Sequence, residues 1–299
     1  MQPGRALHQR IFREQVLPAL RSNRIKRWSR FRRCHVSAEY IHSVFTALLS
    51  SFKTTGLPST CCVCATFGND AVCADCLDQF AKPRHRCSTC AVPLIDAQQQ
   101  RCGACLILGS VLDSCHAAVD YAYPWDTLLQ RFKYSDGGDL RAQPALANTL
   151  ALVMQHSAEQ NQTLSNALAQ AQRSDWIIPV ALHPERQKER GFNQAGVFAQ
   201  ALFPDHSRIR NDLLLRIKNT AVQATLPRDT RIHNLRGAFI AAPLTAYLLK
   251  GSRVTLIDDV TTTTATLNAA AQALRQAGAE QVHAIVFARA IGAARVAPA

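Results

Sequence analysis

Arg253-Val254-Thr255-Leu256-Ile257-Asp258-Asp259-Val260-Thr261-Thr262-Thr263-Thr264-Ala265-Thr266 passes from apolar to acidic to hydroxyl-bearing within a few residues. Val254 to Ile257 is a short run of β-formers, which predicts a strand covered on both faces. Leu267, Ala270, Ala271, Leu274 and Ala277 then recur at helical spacing, and Gly278 follows as a stop. The acids and threonines between them therefore fall at the carboxyl end of a strand and the amino end of a helix. Open α/β sheets bind ligands there. Free amides and the helix dipole favour an anion at that point, a phosphate above all.

In this order the stretch resembles the PRPP loop of type I phosphoribosyltransferases. That loop reads as apolar residues, two acids, two variable positions, Thr-Thr-Gly, one further residue and Thr. Asp258, Asp259, Thr262, Thr263 and Thr266 fall on its positions, and Thr264 stands where the family carries glycine. Glycine allows positive φ and close approach to a phosphate, and a β-branched residue resists both. The departure predicts a weakened or reshaped 5-phosphate site. A plain strand–turn–helix with solvated acids is the competing reading of so short a motif, and the rest of the chain has to decide.

The chain has 299 residues, enough for one large domain and a small one, and its 47% apolar share is that of a globular protein. The net charge of +13 is uneven. Residues 1–53 carry eleven Lys or Arg against Glu14 and Glu39, which is +9 of the total. A strong pull on nucleic acid would come from that arm rather than from the body. Residues 1–43 are read as a disordered basic arm, with a nucleic-acid arm and sequence upstream of the true start as competing readings. No run of about 18 apolar residues and no signal-peptide core stand out, so the expected compartment is the cytoplasm, without a membrane span. Eleven cysteines in a reducing compartment point to metal rather than disulfides.

Residues 44–110 are read as an amphipathic segment (Val44, Phe45, Leu48, Leu49, Phe52) followed by a cysteine module. Cys61-x-x-Cys64, Cys73-x-x-Cys76, Cys87-x-x-Cys90 and Cys102-x-x-Cys105 are four knuckles in close succession. Each turns two thiolates toward one ion, and two knuckles complete a tetrahedral Zn²⁺ site. The segment has too few apolar residues for a core, so metal has to supply folding energy. The simplest pairing puts Cys61, Cys64, Cys73 and Cys76 on one ion and Cys87, Cys90, Cys102 and Cys105 on another; an interleaved pairing stays open. Structural zinc is expected, because four protein thiolates leave no open position.

Residues 115–299 are read as the main domain. Ala117–Tyr123 alternates as a strand, Trp125–Tyr134 is a short helix, and 140–172 suit two helices broken near Gln160-Asn161. Asp175–Leu182 is a second buried strand. It runs into the basic segment His183-Pro184-Glu185-Arg186-Gln187-Lys188-Glu189-Arg190, read as a charged loop whose arginines suit a diphosphate. Asn193 is expected to cap the next helix. Val282–Arg289 closes a parallel β–α–β unit, with His283 a satisfied strand histidine.

Arg186-x-x-x-Arg190-Gly191-Phe192-Asn193-Gln194, the cysteine knuckles ahead of it and the Asp-Asp-x-x-Thr-Thr loop behind it together resemble the ComF family. Phe132-Lys133-Tyr134, Thr220-x-x-Gln223-x-x-Leu226 and Arg231-x-x-Asn234-Leu235-x-x-Ala238-Phe239 support the likeness. It covers about residues 44–290; the family includes the ComFC and GntX types, and the four knuckles look like the longer, GntX-type arrangement. The resemblance implies an α/β fold: a type I phosphoribosyltransferase-like parallel sheet with helices on both faces, preceded by a double zinc ribbon. It implies PRPP as ligand, with Mg²⁺, and displacement of diphosphate at ribose C1 by an unknown acceptor. Asp258 and Asp259 would then hold the ribose and stabilise its developing charge. Thr262, Thr263, Thr264 and Thr266 would line the 5-phosphate, and Arg186, Arg190 and Lys133 the diphosphate. It also implies a link to DNA uptake and its proteins. The alternative is a non-catalytic zinc-ribbon protein that binds single-stranded DNA and carries a degenerate PRPP site.

Overall fold

The computed structural model describes residues 59–134, 143–204, 207–219, 235 and 237–291. The basic arm, the amphipathic segment and the motif residues Thr220, Gln223, Leu226, Arg231 and Asn234 lie outside them. The described residues open with two small cysteine modules. The first holds the β1–β2 ribbon (Ser59–Thr60, Phe67–Gly68) and helix α1 (Ala74–Phe80). The second holds α2 (Gly103–Leu108). The main body follows as β3 (Ser114–Asp120), α3 (Trp125–Lys133), α4 (Leu146–Glu159), α5 (Gln162–Arg173) and β4 (Trp176–Pro179). Then come α6 (Pro184–Arg190), α7 (Gln194–Leu202), the antiparallel pair β5 (Leu214–Arg216) and β6 (Phe239–Ala241), β7 (Arg253–Thr261), α8 (Ala265–Gln276) and β8 (Gln281–Arg289).

β3, β8, β7 and β4 form a parallel sheet in that order, so β7 is an interior strand. Side-chain alternation on the central strands feeds two apolar layers. Ile257, Ile285 and Phe287 pack with Trp125, Phe132, Met154 and Phe198 from α3, α4 and α7. Val254, Leu256, Val282, Ala284 and Val286 pack with Leu267 and Leu274 of α8. Full burial of a side chain such as Leu256 or Ile257 contributes about 1.5–3 kcal/mol, which is why these strands read as continuous apolar runs. Phe287 meets Trp125 and Phe198 edge-on, both with centroids 6.1 Å apart.

Local chemistry sets the element ends. Asn161 caps α5 by accepting from the amides of Thr163 and Leu164, which is the break expected near Gln160-Asn161. Gly278 has φ +100, and a Cβ there would meet Lys250 Cα at 3.2 Å, so α8 stops where glycine alone fits easily. His283 bonds Ser114 Oγ at 2.9 Å and Gln170 Nε2 at 2.7 Å, a satisfied strand histidine as expected. Among the described residues no helix is long and apolar enough to cross a membrane.

Candidate functional site

β7 carries both acids. The sequence reading ended the strand at Ile257, but the ladder to β8 continues, with Asp258 opposite Val286, Val260 opposite Ala288 and Thr261 opposite Arg289. Period two then sends neighbouring side chains to opposite faces. Asp258 shares the face of Leu256 and α8, and Asp259 the face of Ile257 and α3. Asp259 is 3% exposed, and its Oδ2 lies 2.5 Å from Lys133 Nζ at the end of α3. Burial is the largest influence on the Lys133 ammonium and works against it, but the Asp259 charge and hydrogen bond, with the Asp258 charge, together outweigh it and hold the lysine pKa above its usual value. Asp258 has no such partner. Burial, then repulsion from Asp259, pushes its carboxyl well above the usual carboxylate range, and Lys133 only partly offsets this. Asp258 Oδ1 accepts the Asp259 amide at 2.9 Å.

The turn after the acids keeps a glycine-like backbone without a glycine. Thr264 sits at φ 58, ψ 7, in the left-handed region. That costs an L residue about 1–2 kcal/mol. Its Oγ1 donates to the Thr263 carbonyl at 2.6 Å, and Asn268 holds the Thr264 carbonyl through Nδ2 at 3.1 Å and its amide at 2.8 Å. Thr262 is exposed, Thr263 and Thr266 are half-buried, and Thr264 is buried. Among the described residues no acceptor takes the N–H of Thr263 or Thr264, as expected of the donors at a helix start. Behind the turn lies Arg289, 7% exposed. Its guanidinium donates to the carbonyls of Thr261, Thr262 and Ala290, and through Nε to the Cys90 carbonyl at 2.8 Å.

The basic segment after β4 is a helix rather than the loop read from sequence. His183 caps it by accepting the Glu185 amide, Pro184 opens it, and Gly191 at φ +83 ends it. The Arg-Gly-Phe-Asn-Gln phrase proves to be largely a joint. Arg190 lies 4.9 Å over the Tyr134 ring, donates to the Tyr134 hydroxyl at 3.1 Å and to Gln194 Oε1 at 2.6 Å. Phe192 packs on Phe132, centroids 5.8 Å apart, and Asn193 caps α7 while donating to the Val180 carbonyl. Arg190 thus lies against Tyr134, the residue after Lys133. Arg186 is half-buried, and its charge reaches Arg216.

Arg216 ends β5 and stacks 5.4 Å over Phe239. Burial, then the Arg186 charge, lowers its pKa, and Asp258 opposes them. It borders a cleft of about 640 Å³ at the end of β4 that is also lined by His183, Gln187, Asn193 and Asn211. Neither acid of the doublet lines that cleft. Nothing in the local sequence of Arg216 or Arg289 marks either as part of a site. The available signal was a lone arginine closing an apolar strand.

The knuckles pair in the simpler way. Cys61, Cys64, Cys73 and Cys76 form one cluster and Cys87, Cys90, Cys102 and Cys105 the other, the sulfurs of each within 4.8 Å of one another. Zn–S bonds of about 2.3 Å give a tetrahedral edge of about 3.8 Å. Cys64–Cys73 and Cys90–Cys102 Sγ atoms stand 3.7 Å apart, so both clusters fit zinc. The two are copies of one plan. Ala65 and Ala91, each just after a knuckle, take φ 60 and 57, and Cys73 and Cys102 each open a helix. In each, an amide from the second knuckle points at a first-knuckle sulfur: Cys73 N to Cys61 and Cys102 N to Cys87. The first cluster joins the α3–α4 core, where Trp125 Nε1 holds the Phe80 carbonyl at 2.8 Å. The second is stitched to the sheet through Cys115 N to Ser88 O at 2.8 Å and through Arg289.

A parallel sheet with acids at the end of an interior strand, and a threonine turn feeding a helix, defines a phosphoribosyltransferase-type domain, here carrying two Cys₄ clusters. Comparison agrees: a model of the phosphoribosyl transferase domain matches residues 216–296. Competence protein F of Haemophilus influenzae is 32% identical over 223 residues, 74% of this chain and 91% of that protein. DNA utilization protein YhgH of Escherichia coli K12 is 27% identical over 231 residues, 76% of this chain and 95% of that one. The YhgH of Salmonella typhimurium is 26% identical over 233 residues. The chain belongs to the ComF family, that of competence protein F.

Proposed function

We propose that this chain binds PRPP at the carboxyl end of β7 and transfers its phosphoribosyl group to an acceptor. The observation that carries the reading is the Thr264 turn, held in a glycine-like shape with open amides directly after the acid doublet. In this reading Thr262, Thr263, Thr264 and Thr266 hold the 5-phosphate with those amides. Asp258 and Asp259 take the ribose hydroxyls. Arg186, Arg190 and Lys133 flank the diphosphate. The bond from C1 to the diphosphate oxygen breaks with its electron pair leaving on oxygen, the ring becomes cation-like, and the acceptor's lone pair closes on C1. The residues contribute by positioning and by charge; no covalent nucleophile is needed.

Magnesium, when it arrives with the diphosphate, would neutralise leaving-group charge. Asp259 is already paired with Lys133, and Asp258 is biased toward its neutral form. The doublet therefore suits hydroxyls better than direct contact with the ion. Each Cys₄ cluster holds one structural zinc in this reading, making residues 59–110 a double ribbon on a domain that starts at 115. So cysteine-rich a chain suits the cytoplasm. The test is thermal unfolding with PRPP and Mg²⁺. A rise in Tm that Asp258→Asn with Asp259→Asn removes supports the reading, and no rise in the zinc-loaded protein overturns it.

A role in holding single-stranded DNA is the second reading. The relatives' names, competence protein F and DNA utilization protein, favour it, as does the +9 carried by residues 1–53. DNA binding that weakens steeply with salt and is lost on deleting 1–53 would support it. Such binding is compatible with a PRPP site.

A further inference from the structure

The first and second Cys₄ clusters share a plan but not a neighbour. The second reaches the threonine turn at two points: Asn268, whose Oδ1 accepts from Ser110 Oγ and the Val111 amide while its Nδ2 holds the Thr264 carbonyl, and Arg289, which starts from the cluster itself. Arg289 Nε donates to the carbonyl of Cys90, which ties the first knuckle of that cluster to the sheet, while its Nη1 gathers the carbonyls of Thr261, Thr262 and Ala290. In a trans peptide the carbonyl and the next residue's N–H point in opposite directions. Drawing the Thr262 carbonyl toward Arg289 therefore aims the Thr263 amide away from it, onto the open side of the turn. Among the described residues no carboxylate pairs with Arg289. The hydrogen-bond partners of its buried guanidinium are carbonyl dipoles, and an anion on the far side of the turn would add to their compensation. Among the described residues the first cluster has no such connection: it meets the body through Phe80 and Trp125 in the aromatic layer.

We propose that Arg289 is a positioning residue that couples metal in the second Cys₄ cluster to anion binding at the 261–264 turn. The ligand part of the proposal rests on the PRPP reading above. With Cys87, Cys90, Cys102 and Cys105 drawn onto an ion, the Cys90 carbonyl is a fixed anchor and Arg289 holds the turn open. With the cluster empty, the anchor moves and the turn loses its backing. Coupling of this kind is reciprocal, so an anion on the turn must also slow metal loss from the second cluster and leave the first alone.

The experiment uses the full, zinc-loaded chain. Zinc is drawn off by a chelator with and without saturating PRPP and Mg²⁺, and the order of loss is mapped by which cysteines become alkylated. The expected result is that PRPP slows exposure of Cys87, Cys90, Cys102 and Cys105 about tenfold and does not change that of Cys61, Cys64, Cys73 and Cys76. Arg289→Met should abolish the difference and weaken PRPP about tenfold, with Arg289→Lys falling between. Equal protection of both clusters, or of neither in a protein that binds PRPP, overturns the proposal. If the wild-type chain binds no PRPP, the functional reading fails by itself and the strut is read without ligand, by hydrogen exchange. Faster exchange at residues 262–266 on emptying the second cluster, absent on emptying the first, supports it; unchanged exchange overturns it.

Discussion

Asp258 and Asp259 are chemically identical neighbours in unlike situations. Asp259 turns toward α3 and meets Lys133; Asp258 turns toward the α8 layer and meets burial. One is a paired carboxylate and the other is driven toward its neutral form. The difference arises because a strand alternates and the two layers carry different side chains. A doublet that straddles a sheet can present two oxygen sites of different charge at one strand end; under the proposed function these take two hydroxyls of one sugar.

The strongest way to break this contrast is Lys133→Met. It leaves the Asp259 charge buried and alone, and should cost about 3–5 kcal/mol in urea unfolding at neutral pH. Adding Asp259→Asn should recover most of the loss. A single-variant cost below about 1 kcal/mol would mean the pair does not hold the site. Since the Lys133 pKa is raised, the pair's contribution is present below the usual lysine value of 10.5 and is lost as pH climbs through the raised one.

Asp258→Asn should do the opposite. Well below the usual value of 3.8, Asp258 is protonated both folded and unfolded, so the exchange is neutral there. As pH rises toward the raised folded value, the unfolded chain ionises first and stability falls. The variant should therefore raise Tm by a few degrees at pH 8 and leave it unchanged near pH 3, while weakening PRPP binding. A lower Tm at pH 8 would place Asp258 in a stabilising contact instead.

Thr264→Gly sharpens the picture by the smallest amount. Relief of about 1–2 kcal/mol of left-handed strain, less about 0.5–1 kcal/mol of glycine's chain entropy, leaves a gain of roughly 0–1.5 kcal/mol. PRPP affinity should hold or rise. A clear loss of affinity would give the Thr264 hydroxyl a direct part in binding.

Much of the architecture could be read from residue patterns because those patterns are local. Val254–Ile257 and Val282–Arg289 are apolar runs that only a doubly covered strand explains, and the four knuckles repeat a spacing that metal demands. The Thr264 departure was visible too, though its outcome was not: the turn keeps its shape because Asn268 and Arg289 hold it, and neither is adjacent in sequence. Long-range partners escaped for the same reason. Nothing near Lys133 announces Asp259, and nothing near Arg289 announces Cys90. The segment 184–190 was read as a loop because its charges hide helical signals that lie in its ends, His183, Pro184 and Gly191.

Calorimetric titration of the zinc-loaded chain with PRPP and Mg²⁺ is the most direct test of the strand-end site. Saturable binding near one PRPP per chain, weakened at least tenfold when Asp258 and Asp259 are both replaced by asparagine in a still-folded protein, is the predicted result. Absence of binding, or binding indifferent to that replacement, would contradict it.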